Sequence, residues 1–299
     1  LKSDHYEKSL LKGIISFLVS LLFLALVAVC IKLAGKSDDA KLGWILFIQY
    51  STVLIIAASI SIKQKFANMH SAKPHLEIMR GVFGVVSFIL FVISMKEIPM
   101  VNATLLQNTA PLFIPIVSFI WFREITEKKV FLGIAIGFVG ILLIIKPETS
   151  AFNIGAIIGL ISGILLAISY VVMSIITKYD GFNTILIYYA ICAFGISLPF
   201  GIINWSNPPL NSWIYASASG IFLMGYLHMQ QYSYKHVEAS KLSPFNYFLL
   251  IYIGVLDWLL FGHIPDFLTI AGIAIVSTGG IISIIHHERK NPATRHSWH

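Results

Sequence analysis

Apolar runs of membrane-crossing length recur along almost the whole chain, separated by short polar stretches. A helix rising 1.5 Å per residue needs about 20 residues to cross roughly 30 Å of hydrocarbon. Windows of that length predict ten spans, near residues 11–33, 43–62, 76–95, 101–122, 129–146, 154–177, 184–204, 212–234, 244–262 and 267–285. Only Pro147–Asn153 and Trp205–Asn211 are long enough to be real loops, so no soluble domain is expected. The first run is long, has no clear small-x-small exit and is followed at once by further spans, so it is read as part of the bundle and not as a cleaved signal. The expected fold is an all-α membrane protein of ten transmembrane helices.

Composition agrees with that pattern. Hydrophobic residues make up 57% of the 299 positions, charged ones 12%, and mean hydropathy is +0.82, which excludes a water-facing globule of this size. The formal charge of +7 does not point to nucleic acid, because the basic residues punctuate apolar runs and form no soluble basic face. The expected partners are the lipid bilayer and a small-molecule solute. Cys30 and Cys192 fall inside apolar runs and read as neither an exposed disulfide nor a metal site. With the N-terminus inside, only Lys32, Lys36, Lys41, Lys96 and Lys146 of the 21 lysines and arginines fall on the outer side. Cytoplasmic loops carry the excess of such residues, so both termini are expected in the cytoplasm. Residues 286–299 then form a cytoplasmic tail, whose His286, His287, His296 and His299 read as solvated residues, with metal binding the alternative.

The halves resemble each other. Phe122-Arg123-Glu124-Ile125-Thr126 is followed by Gly133 and Gly140, and Phe261-Gly262-His263-Ile264-Pro265 is followed at the same distances by Gly272 and Gly279. Val101-Asn102-Ala103-Thr104 and Val237-Glu238-Ala239-Ser240 each open a fourth span, with Pro111 and Pro244 further on. Two five-helix units are therefore expected, at 11–146 and 154–285. Five is odd, so the second copy must lie upside down, the inverted-repeat plan of many secondary transporters, with a site near the midplane. No Gly-Lys-Ser/Thr follows the glycine pairs, so ATP-driven transport is not expected. No cofactor is implied. The rival classes are an intramembrane enzyme, for which no His-Glu-x-x-His or Gly-x-Ser-x-Gly is present, and a membrane receptor or scaffold.

Arg80-Gly81 opening the third span, Phe-x-Glu before the fifth, Ser-Pro-Phe-x-Tyr from Ser243, and Phe-Gly-x-x-Pro-Asp-x-x-Thr-x-x-Gly from Phe261 together resemble the EamA family of the drug/metabolite transporter superfamily. The resemblance spans residues 11–285 and implies a ten-helix transporter with a central cavity and no ATPase. The spacing of Ala239, Pro244 and Tyr247 is also similar to the S-adenosylmethionine uptake branch, which implies that solute or an amino-acid-like one. Exporters of amino acids or other metabolites in the same family are the alternative. Three positions depart from the family pattern. Gln49 stands where an arginine is common, His263 where a glutamate is, and Asp257 where a glycine is. Losing a cation and gaining an acid predicts a cavity that suits a cationic or zwitterionic solute.

Several residues are candidates for binding that solute. Asn246 and Asp257 are eleven apart, near three helical turns, and would share one face of the ninth span. Asp257 reads as a ligand or proton site, or as an interhelical hydrogen bond. His228 and Gln231 form a second polar stripe, read equally as ligand contacts or as groups satisfied within the bundle. Gln107 and Asn108 precede Pro111 and Pro115, and either line the pocket or satisfy carbonyls that the prolines release. Tyr170, Tyr189 and Tyr247 offer flat faces suited to a cationic or adenine-bearing ligand, or act as interfacial anchors. Lys32, Arg80 and Lys178 lie at span ends, where gating or coupling competes with snorkelling to headgroups. Gly155, Gly159 and Gly163, like Gly133 and Gly137, read as packing seams. The expected setting is the inner (plasma) membrane. Proton coupling, a homodimer and the direction of transport are left open.

Overall fold

A computed structural model describes residues 2–63, 70–98, 106–122, 128–145 and 154–262, with isolated positions at 103, 271, 274, 275 and 278. The helices are α1 (Lys2–Ala34), α2 (Leu42–Lys63), α3 (Pro74–Glu97), α4 (Ala110–Phe122), α5 (Lys128–Ile145), α6 (Ile154–Ile176), α7 (Phe182–Ile203), α8 (Leu210–His236) and α9 (Phe248–Phe261). No strand occurs among the described residues. Stretches of five helices are long and apolar enough to cross a membrane: Ser9–Ala34, Leu42–Lys63, Pro74–Phe91, Ile154–Ile176 and Phe182–Ile203. The nine helices coincide with the first nine predicted windows. Of the tenth, only Ala271, Ala274, Ile275 and Thr278 are described, all helical.

The fourth span is shorter than its window because its backbone breaks at Asn108 and Thr109. Pro111 has no N–H to give the Gln107 carbonyl, so the regular ladder stops there. The Leu106 carbonyl instead accepts from the Thr109 N–H at 3.2 Å and the Thr109 hydroxyl at 2.5 Å. The approach to α9 is broken too. A single helical turn (Ala239–Leu242) leads into a 3-10 turn (Ser243–Tyr247). α9 then ends at Gly262, whose φ of 73° is the left-handed cap that glycine adopts freely.

Three antiparallel seams hold the bundle. Along α3 and α6, Ser169 donates to the Arg80 carbonyl at 3.1 Å, Ser87 and Ser162 exchange bonds with each other's carbonyls at 2.8 and 2.9 Å, and Ser94 donates to the Gly155 carbonyl at 2.8 Å. Along α1 and α8, Ser233 donates to Gly13 at 2.7 Å and Ser212 to Ala34 at 2.9 Å. Along α2 and α7, Phe47 stacks near Phe194 with centroids 5.7 Å apart, and Tyr50 meets Tyr189 edge-on at 6.5 Å. Hydroxyls that bond to a neighbouring helix's carbonyls each contribute on the order of 0.6 kcal/mol in a bilayer. Further contacts join α2 to α8, α3 to α7, α4 to α6 and α1 to α9.

The glycine seams pack as the spacing predicts. A Cβ on Gly163 would lie 2.7 Å from the Leu106 carbonyl oxygen and the Thr109 hydroxyl, so glycine lets the broken turn of α4 rest on α6. A Cβ on Gly137 would lie 2.3 Å from the Tyr247 ring.

Candidate functional site

Arg80 occupies the second turn of α3 and is only 4% exposed, so its side chain is packed among the helices and not extended from the end of a span. Its guanidinium lies over the Tyr189 ring of α7, 4.6 Å from the centroid. Gly81 allows that approach, since a Cβ there would sit 2.8 Å from Cys192 Cβ on α7. Tyr50 of α2 packs against the far side of the group, edge-on to Tyr189. From α6, Tyr170 lies 6.4 Å from the Tyr234 ring, and its hydroxyl is 3.4 Å from that of Tyr226. Tyr226 also accepts from the Gln230 amide, and Tyr226, Gln230 and Tyr234 form one stripe of α8.

Five tyrosines from four helices thus form two contact groups: Tyr50 and Tyr189, which carries the guanidinium, and Tyr170, Tyr226 and Tyr234. Tyr50, Tyr226 and Tyr234 are buried, whereas Tyr170 and Tyr189 keep part of their surface free. The Tyr234 hydroxyl has no hydrogen-bond partner among the described residues. Such a group offers ring faces to a cation or a flat ring, phenol oxygens for hydrogen bonds and a guanidinium for an anion.

One turn before Arg80, Glu77 is 1% exposed, and neither carboxylate oxygen has a hydrogen-bond partner among the described residues. Glu77 and Arg80 are the two buried Asp, Glu, Lys or Arg side chains among those residues. The side chain of Asp257, on which the expectation of a cavity suited to a cationic or zwitterionic solute rests, lies outside the described residues. Gln49 is buried and accepts from Ser219 at 3.1 Å.

Polar contacts join the loops at each end of the bundle. At one end Asp180 accepts from the Ser71 hydroxyl at 2.5 Å and the Ala72 N–H at 2.9 Å, and the Lys73 ammonium lies 3.8 Å from the centre of the Tyr179 ring. At the other, Ser206 donates to the Asp39 carbonyl at 2.6 Å, beside Trp44, Trp205 and Trp213. A cavity of about 150 Å³ opens at the Asp180 end, lined by Phe182, His228, Gln231 and Lys235 among others.

Tyr170, Tyr189 and Arg80 come together in the tyrosine group. His228 and Gln231 line the cavity by Asp180, and His228 is an exposed residue edge-on to Phe182 at 4.3 Å, not an imidazole inside the bundle. Tyr247 is fully buried elsewhere, wedged against Gly137 with its hydroxyl 3.4 Å from the Ile134 carbonyl. Asn246 is buried and donates to the Ser243 carbonyl at 3.3 Å. It lies in the 3-10 turn, so the uninterrupted α-helical spacing to Asp257 does not hold. The Asp257 backbone is in α9, but its side chain, like His263, lies outside the described residues. Gln107 and Asn108 are half-buried at the break before α4, and Lys32 and Lys178 are exposed at helix ends. Sequence reading missed Tyr50, Glu77, Tyr226, Gln230 and Tyr234. The four-residue spacing of Tyr226, Gln230 and Tyr234 carried the signal for one face of α8.

Comparison with known proteins gives this geometry its context. The chain is 26% identical to the S-adenosylmethionine uptake transporter of Rickettsia prowazekii over 297 residues, 97% of each chain. It is 24% identical to the pseudopaline exporter CntI of Pseudomonas aeruginosa over 201 residues, 65% of this chain and 69% of that one. A solved crystal structure superposes with a TM-score of 0.78 at 14% identity, covering 95% of this chain and 98% of the other, which shows a shared fold. Two segments, residues 11–146 and 153–285, match the EamA-like transporter family. With nearly all of its length matched in this way, the chain belongs to the EamA-like transporter family, a family of multi-pass membrane transporters.

Proposed function

We propose that this transporter moves a small zwitterionic metabolite, with S-adenosylmethionine or an amino-acid-like solute favoured, through a site formed by Arg80 and the tyrosine group. The carrying observation is the buried guanidinium of Arg80 on Tyr189, whose ring also meets Tyr50 of α2. A buried cation in a membrane span is costly unless function uses it. The name of the Rickettsia relative supports the solute class, and that of the Pseudomonas relative supports export as the alternative direction.

The proposed mechanism is alternating access between two inverted five-helix repeats, 11–146 and 154–285, of a ten-span bundle. The twofold family match supports two units. The antiparallel seams support inversion: exchanging α1 with α6, α2 with α7, α3 with α8 and α4 with α9 turns each of the seven packed pairs named above into another of them or into itself. The exchange also sets Arg80 on Tyr189 against Ser219 on Gln49, so the charge sits in one half only. The Asp180 and Asp39 contacts then close opposite faces. The lysine and arginine distribution supports cytoplasmic termini and the Asp180 face as the inner one, in the inner membrane.

Purified protein in liposomes tests the reading. Labelled S-adenosylmethionine, lysine or phenylalanine should accumulate chemically unchanged. Chemical alteration of the solute would indicate an enzyme, and failure to move any of them would refute this solute class.

A further inference from the structure

Glu77 and Arg80 are three residues apart, which places them on one face of α3 about one helical turn from each other. Both are buried, at 1% and 4% exposed, and they are opposite in sign. They do not satisfy each other. The carboxylate of Glu77 has no hydrogen-bond partner among the described residues, while the guanidinium of Arg80 is spread over Tyr189. The other charge acting on Glu77 is Asp180, also negative, which accepts from Ser71 and Ala72 and is near enough to share a hydrogen bond with Glu77 only when one of the two carboxyl groups is protonated. Burying a carboxylate without a partner costs several kcal/mol, so a stable fold retains one where something else completes it.

Resting on the transport reading above, we propose that Glu77 and Arg80 form a clamp for the head group of an α-amino acid. The ammonium is accepted by Glu77 and the carboxylate by Arg80. The rest of the solute lies against Tyr189, Tyr170 and the α8 stripe of Tyr226 and Tyr234. The rise between the two positions is about 4.5 Å. Flexible side chains can close that gap onto the adjacent ammonium and carboxylate of one zwitterion. With both groups ionised the two charges cancel, and a neutral zwitterion leaves that balance unchanged. A simple cation would find Glu77 but meet Arg80, and a simple anion would find Arg80 but meet Glu77. The aromatic wall then selects side groups that are cationic or flat.

Binding of three related probes to the detergent-purified full chain tests the clamp: S-adenosylmethionine, its decarboxylated form, which keeps the ammonium, and its 2-oxo analogue, which keeps the carboxylate. The parent protein should bind each truncated probe at least about tenfold more weakly than S-adenosylmethionine, as expected for losing a charge-assisted hydrogen bond. Glu77→Gln should erase the discrimination against the 2-oxo analogue alone. Arg80→Gln should erase that against the decarboxylated probe alone. The comparison on the parent needs no variant, so it stands even where a substitution impairs folding. Equal affinity of the parent for all three probes, no binding of any of them, or an equal loss for all three in Glu77→Gln would overturn the clamp. Liposome uptake run in parallel separates this from the transport reading: head-group-blind uptake sinks the clamp alone, whereas no uptake of S-adenosylmethionine, lysine or phenylalanine sinks the solute class on which the clamp rests.

Discussion

At the scale of single residues, the account separates side chains that meet solute from side chains that hold the bundle together. Tyr247 belongs to the second group. Its ring fills the notch left by Gly137, and its hydroxyl bond to Ile134 is long at 3.4 Å. Tyr247→Phe should therefore change stability by less than about 1 kcal/mol and leave uptake near the parental rate. Tyr247→Ala should cost about 3–5 kcal/mol, as buried aromatic-to-alanine changes do, read as a lower melting temperature in detergent. Gly163→Val should cost about 1–3 kcal/mol by pushing the α4 turn off α6. Sequence could not sort these tyrosines, because a tyrosine reads the same whether it faces a solute or a glycine notch. Arg80 was misread for a related reason. Its place near the start of a hydrophobic window suggested a headgroup, but the α3–α6 seam and the close pass of Gly81 to α7 bury that turn.

At the scale of elements, hydrophobic length was enough to find the helices, because crossing a bilayer imposes one length on every span. It was not enough to phase them. Asn246 lies in the 3-10 turn at Ser243–Tyr247, which advances about 20° more per residue than an α-helix, so its register with Asp257 shifts by a few tens of degrees. The break before α4 was legible from Pro111, whereas the atoms that heal it, on Thr109, were not. The loop contacts at the two ends were also invisible, since they join residues more than a hundred positions apart, such as Ser71 and Asp180. They make a prediction about opening. Asp180→Ala removes both hydrogen bonds to the α2–α3 loop and should bias the protein towards opening on that face. Cys192, half-buried against Gly81, is a native reporter for this. Its labelling by a membrane-impermeant maleimide from the Asp180 side should rise severalfold in Asp180→Ala and not in Ser206→Ala. An equal rise in both variants would mean that the two loop contacts do not close opposite faces.

At the scale of the whole molecule, the proposed topology draws on the exchange of packed pairs and the distribution of basic residues. Tags placed after His299 and at Ser71 should be reached from the same side of the membrane, and a tag within Trp205–Asn211 from the other. All three on one side would contradict the inverted repeat. The class of the protein was legible because composition and span count are properties of the whole chain. The site was only half legible, because it is assembled from four helices whose facing surfaces are set by seams between distant segments. Everything proposed about solute depends on Arg80 serving the solute and not only the fold. The most direct measurement is S-adenosylmethionine uptake into liposomes holding equal, equally oriented amounts of the parent, Arg80→Lys and Arg80→Gln proteins. The account predicts uptake by the parent, a reduced but measurable rate with lysine, which keeps the charge but not the planar stack on Tyr189, and a loss of at least about tenfold with glutamine at unchanged melting temperature. Parental uptake by Arg80→Gln would contradict it.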